Sequence, residues 1–234
     1  MKIIKLLETK VLDKPIRWEL KQVNILGGGN GEGKTQLLKK IVHNMICDWD
    51  TEKDFYYELN KYPHQVIYLH TQDVPMKNLM DIMFHLNTPL NNQMTPLDIL
   101  LLEVLQKYNE NYKNDKMVEV LVRNISNFDV EVLENPSEVI KLSTGEKELI
   151  YILASVACTV DDITLMIMDN MGSQLHIDWQ QTLIKDMLSI NPKMQIIAST
   201  HSPSMINGWY SSVKEINELS KEWEPEPDDC EDDD

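Results

Sequence analysis

Apolar positions along the chain fall into two rhythms. Residues 2–7 (KIIKLL) and 16–26 (IRWELKQVNIL) hold them in short runs that read as strands, and Val23, Ile25 and Leu26 lead straight into glycines. Leu37, Leu38, Ile41, Val42, Met45 and Ile46 recur instead at helical spacing, which predicts a helix over 34–47. His64–His70 (HQVIYLH), Ile163–Met168 (ITLMIM) and Met194–Ser199 (MQIIAS) are short, almost wholly apolar runs and predict buried strands. Leu97–Tyr108 (LDILLLEVLQKY) returns to the helical rhythm, with Thr95 as a cap and Pro96 in the first turn. Helices are also predicted over 143–160 and from about 178 to 190. Strands alternating with helices around a glycine loop predict an α/β fold with a parallel or mixed sheet core. The stretch 76–140 reads as a helical insertion of about 65 residues, with no heptads sustained long enough for a coiled coil.

The 234 residues suit one domain with such an insertion. With 42% hydrophobic and 26% charged residues the composition is that of a globular protein, and no apolar run approaches the ~20 residues of a membrane span. The first residues, MKIIKLLETKVLD, lack the apolar core and cleavage site of a secretory signal. Cys47, Cys158 and Cys230 are odd in number and stand at no metal-ligand spacing, so reduced thiols in a cytoplasmic protein are expected. Net charge changes the picture more. Of the −16 total, residues 222–234 supply nine acids and no base, leaving 29 acidic against 22 basic residues in 1–221. Like-charge repulsion and two prolines, Pro225 and Pro227, make 222–234 an acidic tail with no expected fold, beside a single folded domain over 1–221. That balance does not favour strong nucleic-acid binding, although a local basic patch stays open.

Three segments carry chemistry. Gly28-Gly29-Asn30-Gly31-Glu32-Gly33-Lys34-Thr35 satisfies G-x-x-x-x-G-K-[ST] between a strand and a helix. Glycines let backbone N–H groups close around phosphate oxygens, and the helix start adds its positive dipole end. Lys34 supplies charge for the β- and γ-phosphates of ATP, and Thr35 a hydroxyl for Mg²⁺. About 130 residues further on, the run Ile163–Met168 ends in Asp169, the position from which P-loop enzymes hold Mg²⁺. Between them lies Leu142-Ser143-Thr144-Gly145-Glu146-Lys147 at the start of a helix, where Ser143 and Glu146 also form a capping box.

Leu-Ser-x-Gly-Glu-Lys in this order resembles the signature motif of ABC-type ATPase heads. The Glu-Lys form is similar to the soluble branch, with its chromosome-maintenance ATPases, break-repair ATPases and OLD (overcoming lysogenisation defect) nucleases. Two further stretches extend the resemblance. Leu175-His176-Ile177-Asp178-Trp179-Gln180 is similar to that branch's Leu-His-Pro-x-x-Gln, with Ile177 in place of proline. Ser199-Thr200-His201-Ser202-Pro203 is similar to its switch-histidine segment. The resemblance implies that Ser143 and Gly145 cap the γ-phosphate bound by a second subunit, so that ATP drives homodimerisation. It implies that His201 reaches that phosphate or its water, and that Gln72 is the glutamine-loop contact to Mg²⁺. Trp18 is either an adenine platform or a core residue.

One departure matters. Where the family has a catalytic glutamate after the strand aspartate, this chain has Asn170, followed by Met171-Gly172. An amide accepts a hydrogen bond but takes up no proton at neutral pH, and loss of a general base costs on the order of 10²–10⁴ in rate. Slow hydrolysis is therefore expected. Three readings stay open: an ATP-gated switch for a separate effector protein, an active ATPase motor in DNA processing, and an inactive interaction scaffold. The motor reading needs another proton acceptor, with His201 and Asp178 the nearest in motif order. DNA repair or anti-phage defence is the setting the resemblance implies.

Overall fold

Residues 2–46, 55–69 and 94–221 are described by the computed structural model of the chain. Gln72, the start of the 76–140 stretch, Cys47, Cys230 and the acidic tail lie outside them.

The first strand, β1 (Ile4–Val11), buries Ile4, Leu7, Thr9 and Val11. It turns through Leu12 and Asp13, at φ +50° and +61°, into β2 (Lys14–Glu19). Two consecutive left-handed residues match the right-handed twist of the flanking strands. β4 (Phe55–Leu59), which the apolar pattern did not signal, pairs with the other edge of β1, giving a three-stranded antiparallel sheet in the order β2-β1-β4. The run 16–26, read as one strand, is two. After Leu20–Gln22 the chain enters β3 (Val23–Leu26), which belongs to a different sheet.

That second sheet has five parallel strands in the order β5-β6-β7-β3-β8, with β5 (Gln65–Leu69), β6 (Thr164–Met168), β7 (Met194–Ser199) and β8 (Val213–Lys214). Every residue of β3, β6 and β7 is buried, as befits central strands covered on both faces. Alternate residues feed two cores. Leu165, Ile167 and Ile197 face α1 (Lys34–Ile46) and the antiparallel sheet. Met166, Met168, Ile196 and Ala198 face the helices of the other layer. These are α2 (Pro96–Asn111), α3 (Asp115–Asn124), the short α4 (Pro136–Val139), α5 (Thr144–Ala157), α6 (Ile177–Ile190) and the single turn α7 (Pro203–Ile206). A last helix, α8 (Ile216–Lys221), lies against β2.

Local signals placed the helices well. Thr95 and Asp98 form a reciprocal capping box at α2, and Ser143 and Glu146 form one at α5. In α1, Leu37, Leu38 and Ile41 are fully buried, each stabilising the fold by about 1.5–3 kcal/mol. The two sheets are locked together by a polar group. Gln195 of β7, with no exposed surface, accepts hydrogen bonds from the N–H groups of Ile3 (2.9 Å) and Ile4 (2.8 Å). Its amide donates to the carbonyls of Ile4 (2.9 Å) and Lys21 (2.7 Å). With all four bonds made, burial of this amide is offset. Trp18 is 3% exposed within the α1-side core, so it is a packing residue and not a platform open to a ligand. Among the described residues, no helix is long and apolar enough to cross a membrane.

Candidate functional site

Three strands end together. Leu26 of β3 is in register with Ser199 of β7, and Met168 of β6 with Ala198. The segments that follow, Gly27–Thr35, Asp169–Leu175 and Thr200–Pro203, therefore emerge side by side at the carboxyl edge of the sheet, where open α/β folds bind ligands.

Gly33, at φ +94°, shows why the loop needs glycine there. A Cβ on it would stand 2.4 Å from Cγ1 of Val11, because the β1–β2 hairpin presses on the loop from behind. Gly28 and Gly31 also have left-handed backbone. Gly29 and Asn30 complete the loop between them. Lys34 opens α1 and is only 6% exposed. Its Nζ curls back over the loop, donating to the carbonyls of Gly28 (3.0 Å) and Gly29. Both partners are neutral carbonyls, and among the described residues no acidic side chain is bonded to this Nζ. Thr35 is exposed beside it. A shallow cavity of about 590 Å³ continues from Thr35 along Gln36, Lys39, Lys40 and His43.

Asp169, 8% exposed, accepts a 2.6 Å hydrogen bond on Oδ1 from the hydroxyl of Ser199. The same hydroxyl oxygen accepts from the N–H of Asn170 at 2.8 Å. Ser199 thus orients the carboxylate and the following turn at once, a role the apolar run in which it sits did not reveal. Asn170 is left-handed, at φ +56°. Asparagine tolerates that region because its short amide bonds locally, while longer side chains do not. From there the turn is stitched in place. Met171 N–H donates to Ser199 O at 2.8 Å, and Thr200 Oγ1 to Met171 O at 3.3 Å. Gln180 Nε2 donates to the carbonyls of Gly172 (3.1 Å) and Leu175 (2.9 Å), while its Oε1 accepts from Ser202 Oγ. His201 is exposed between the anchored Thr200 and Ser202.

The start of α5 is the second face. Ser143 is exposed, and its N–H (2.8 Å) and Oγ (2.6 Å) both donate to Glu146 Oε2. The hydroxyl is free to turn to another acceptor, since rotation about one bond redirects it. Lys147 pairs with buried Asp98 of α2 at 2.7 Å. Burial pushes the Asp98 carboxyl up, but Lys147 and the Thr95 bonds together outweigh it and hold the group below its usual range. Gly145 touches the turn after Asn170: a Cβ there would lie 2.8 Å from Gln174 O and 3.6 Å from Cζ3 of Trp179. Trp179 is itself held by a 2.8 Å bond from Nε1 to Asn124 O. Glu148, one turn further on, is 2% exposed and accepts from Gln174 N–H at 2.9 Å. Burial pushes its carboxyl up to about 7. No motif pointed to Glu148, because its partner lies on a different element.

Gly28, Lys34, Thr35, Asp169, Asn170 and His201 are thus gathered on one sheet edge, while Ser143 and Gly145 stand at the start of α5. Gln72 falls outside the described residues. The same is true of any metal ligand it supplies. Among the described residues there is no cluster of three or more His, Cys, Asp or Glu side chains able to hold a metal ion by themselves. Among the described residues, the Thr35 hydroxyl and the Asp169 carboxylate are oxygen donors of the kind a Mg²⁺ ion shared with phosphates would take.

The sequence pattern of the family described as "AAA domain, putative AbiEii toxin, Type IV TA system" matches residues 79–207. Over 143 residues, 55% of the chain, the sequence is 29% identical to the Retron Vc95 probable ATPase of Vibrio cholerae serotype O1 biovar El Tor. That match spans 28% of the relative's length, so the chain accounts for little more than a quarter of it. Among solved structures, the SMC head bound to the C-winged helix domain of ScpA matches with a TM-score of 0.50 at 11% identity, over 88% of this chain and 91% of that one. A putative ABC transporter ATP-binding protein from Pyrococcus furiosus matches with a TM-score of 0.49 at 15% identity, over 92% and 98%. Identities this low speak to the fold alone, and the fold is that of a P-loop, ABC-type ATPase head.

Proposed function

The chain belongs to the family of AAA domains described as putative AbiEii toxins of type IV toxin–antitoxin systems, and from that premise we propose that it is an ATP-gated switch. Two copies close around ATP, hydrolyse it slowly, and by closing or opening control a separate effector protein. The observation that carries this reading is a buried lysine on a glycine loop beside an oriented carboxylate, with an amide where a proton acceptor is expected. Lys34 is buried and bonded to the carbonyls of Gly28 and Gly29. Asp169 is buried and oriented by Ser199. Beside them stands Asn170 in a left-handed turn.

In this reading the loop N–H groups and Lys34 bind the phosphates, and Thr35 and Asp169 hold Mg²⁺, with Gln72 as a further contact. When bound, that ion neutralises phosphate charge. Asn170 hydrogen-bonds the water that would attack but takes no proton from it, and His201 reaches the γ-phosphate from the neighbouring strand end. Ser143 turns from Glu146 to the γ-phosphate of a partner copy, with Gly145 and the helix start behind it. Slow cleavage leaves the closed dimer long-lived, so ATP acts chiefly as a ligand. The retron ATPase among its relatives supports a setting in defence.

Sedimentation of the purified chain with ATP, with ADP and without nucleotide tests the reading. ATP promotes a dimer that ADP does not, and Ser143→Arg abolishes that effect while the monomer still binds ATP. A dimer indifferent to nucleotide, or one unharmed by the arginine, defeats it.

A further inference from the structure

Glu148 is a buried carboxyl group that neither phosphate binding nor Mg²⁺ binding uses. It sits in the second turn of α5, the helix whose exposed start carries Ser143 and Gly145. Its Oε2 accepts the N–H of Gln174 at 2.9 Å. Gly145, one turn earlier, lies so close to the carbonyl of Gln174 that a Cβ would come within 2.8 Å of it. The backbone of one residue of the turn after Asn170, Gln174, is thus held by α5 on both sides, its N–H by hydrogen bond and its C=O by close approach. The other ties of that turn run to β7 and α6, through Ser199, Thr200 and Gln180. Glu148 is the described side chain that bonds it to α5.

A glutamine would offer the same acceptor without the cost of burying a charge. What a carboxylate adds is a charge-assisted bond, about twice as strong as a neutral one. Burial raises this carboxyl into the neutral range, where both forms are populated. Several charged groups on α5 and on the helices packed against it have partners of their own. On α5, Glu146 binds Ser143 and Lys147 pairs with Asp98 of α2. Glu103 of α2 acts on Tyr151, pushing that hydroxyl further up. Near α6, Asp178 pairs with His176 at 3.4 Å, and Asp186 with Arg123 of α3 at 2.5 Å. The turn 171–175 carries no ionisable side chain.

We propose that Glu148 is a positioning residue that couples the exposed start of α5 to the turn carrying Asn170, so that the surface offered to a partner's nucleotide and the turn beside the chain's own nucleotide move as one. The inference rests on the nucleotide-closed dimer proposed above. It assigns Glu148 no contact with ATP.

The test compares the unaltered chain with Glu148→Ala and Glu148→Gln by sedimentation in ATP, at roughly pH 6 and pH 8 to bracket the titration. ATP affinity of the monomer and thermal unfolding are measured alongside. Glu148→Ala weakens ATP-driven dimerisation about tenfold, with monomer affinity for ATP changed less than about twofold. Glu148→Gln restores dimerisation at the lower pH and falls behind the native chain about threefold at the higher one. Should the alanine variant not fold, the glutamine comparison across pH still decides. Dimerisation by a folded alanine variant at the native level overturns the inference, as does a glutamine variant that tracks the native chain at both pH values. An equal loss of monomer ATP affinity also overturns it. If the native chain never dimerises with ATP, the dimer reading itself falls. If it dimerises and only the Glu148 variants behave as native, the inference falls alone.

Discussion

Replacing Asn170 with glutamate sets two effects of different size against each other. The backbone there has φ +56°, a region that asparagine visits easily and glutamate does not. Placing glutamate in it costs about 1–2 kcal/mol. For a chain of this size that lowers the unfolding temperature by about 2–8 °C. Against a typical stability of about 5–15 kcal/mol, nearly all of the variant stays folded. The gain in chemistry is larger. A carboxylate able to accept a proton is worth on the order of 10²–10⁴ in rate, or about 2.7–5.4 kcal/mol of barrier. Hydrolysis therefore rises although stability falls. Single-turnover hydrolysis with protein in excess over ATP reads the first effect, and thermal unfolding the second. Asn170→Gly is the control: it accepts the left-handed backbone without strain, so its stability stays near the native value and its rate does not rise. In the glutamate background, His201→Ala lowers the recovered rate. Fast multiple turnover by the native chain, with no gain from glutamate, refutes the reasoning and moves the search for a proton acceptor to His201 and Asp178.

Lys34→Ala removes the buried ammonium from the loop, and ATP affinity falls at least about tenfold by titration. An unchanged affinity would count against the phosphate-loop assignment. Gly145→Ala adds about 1 kcal/mol of helix propensity but drives a Cβ to 2.8 Å from a backbone carbonyl. Overpacking costs about 1–3 kcal/mol, so the net change in denaturant midpoint is destabilising, and a stabilised variant would show the turn yields freely. Glu148→Gln should raise the unfolding temperature above pH 7. The native carboxyl is raised from 4.5 to about 7, so the folded state binds the extra proton and the native chain loses stability as pH climbs through that window. The variant and the native chain should match below the lower value and diverge by about 3 kcal/mol at most above the upper one. Curves that stay parallel across the window would contradict the burial of an ionisable group there.

Much of this architecture was written in short segments. The glycine loop between a strand and a helix, the aspartate closing an apolar run, and the capping boxes at Thr95 and Ser143 depend on groups a few residues apart. The physics that fixes them acts within a turn or two. The departure at Asn170 was equally plain. Other features rest on groups far apart in the chain. The run 16–26 splits between two sheets because Gln195, about 190 residues from Ile3 and Ile4, bonds both of them and Lys21. Pairing of β4 with β1 and the burial of Trp18 follow from the same closure. Ser199 reaches Asp169 across 30 positions, and Glu148 reaches Gln174 across 26. A lone polar residue inside an apolar run carries no mark of its partner. Only when the strands align and water is excluded does an unbonded polar group become costly enough to select one arrangement.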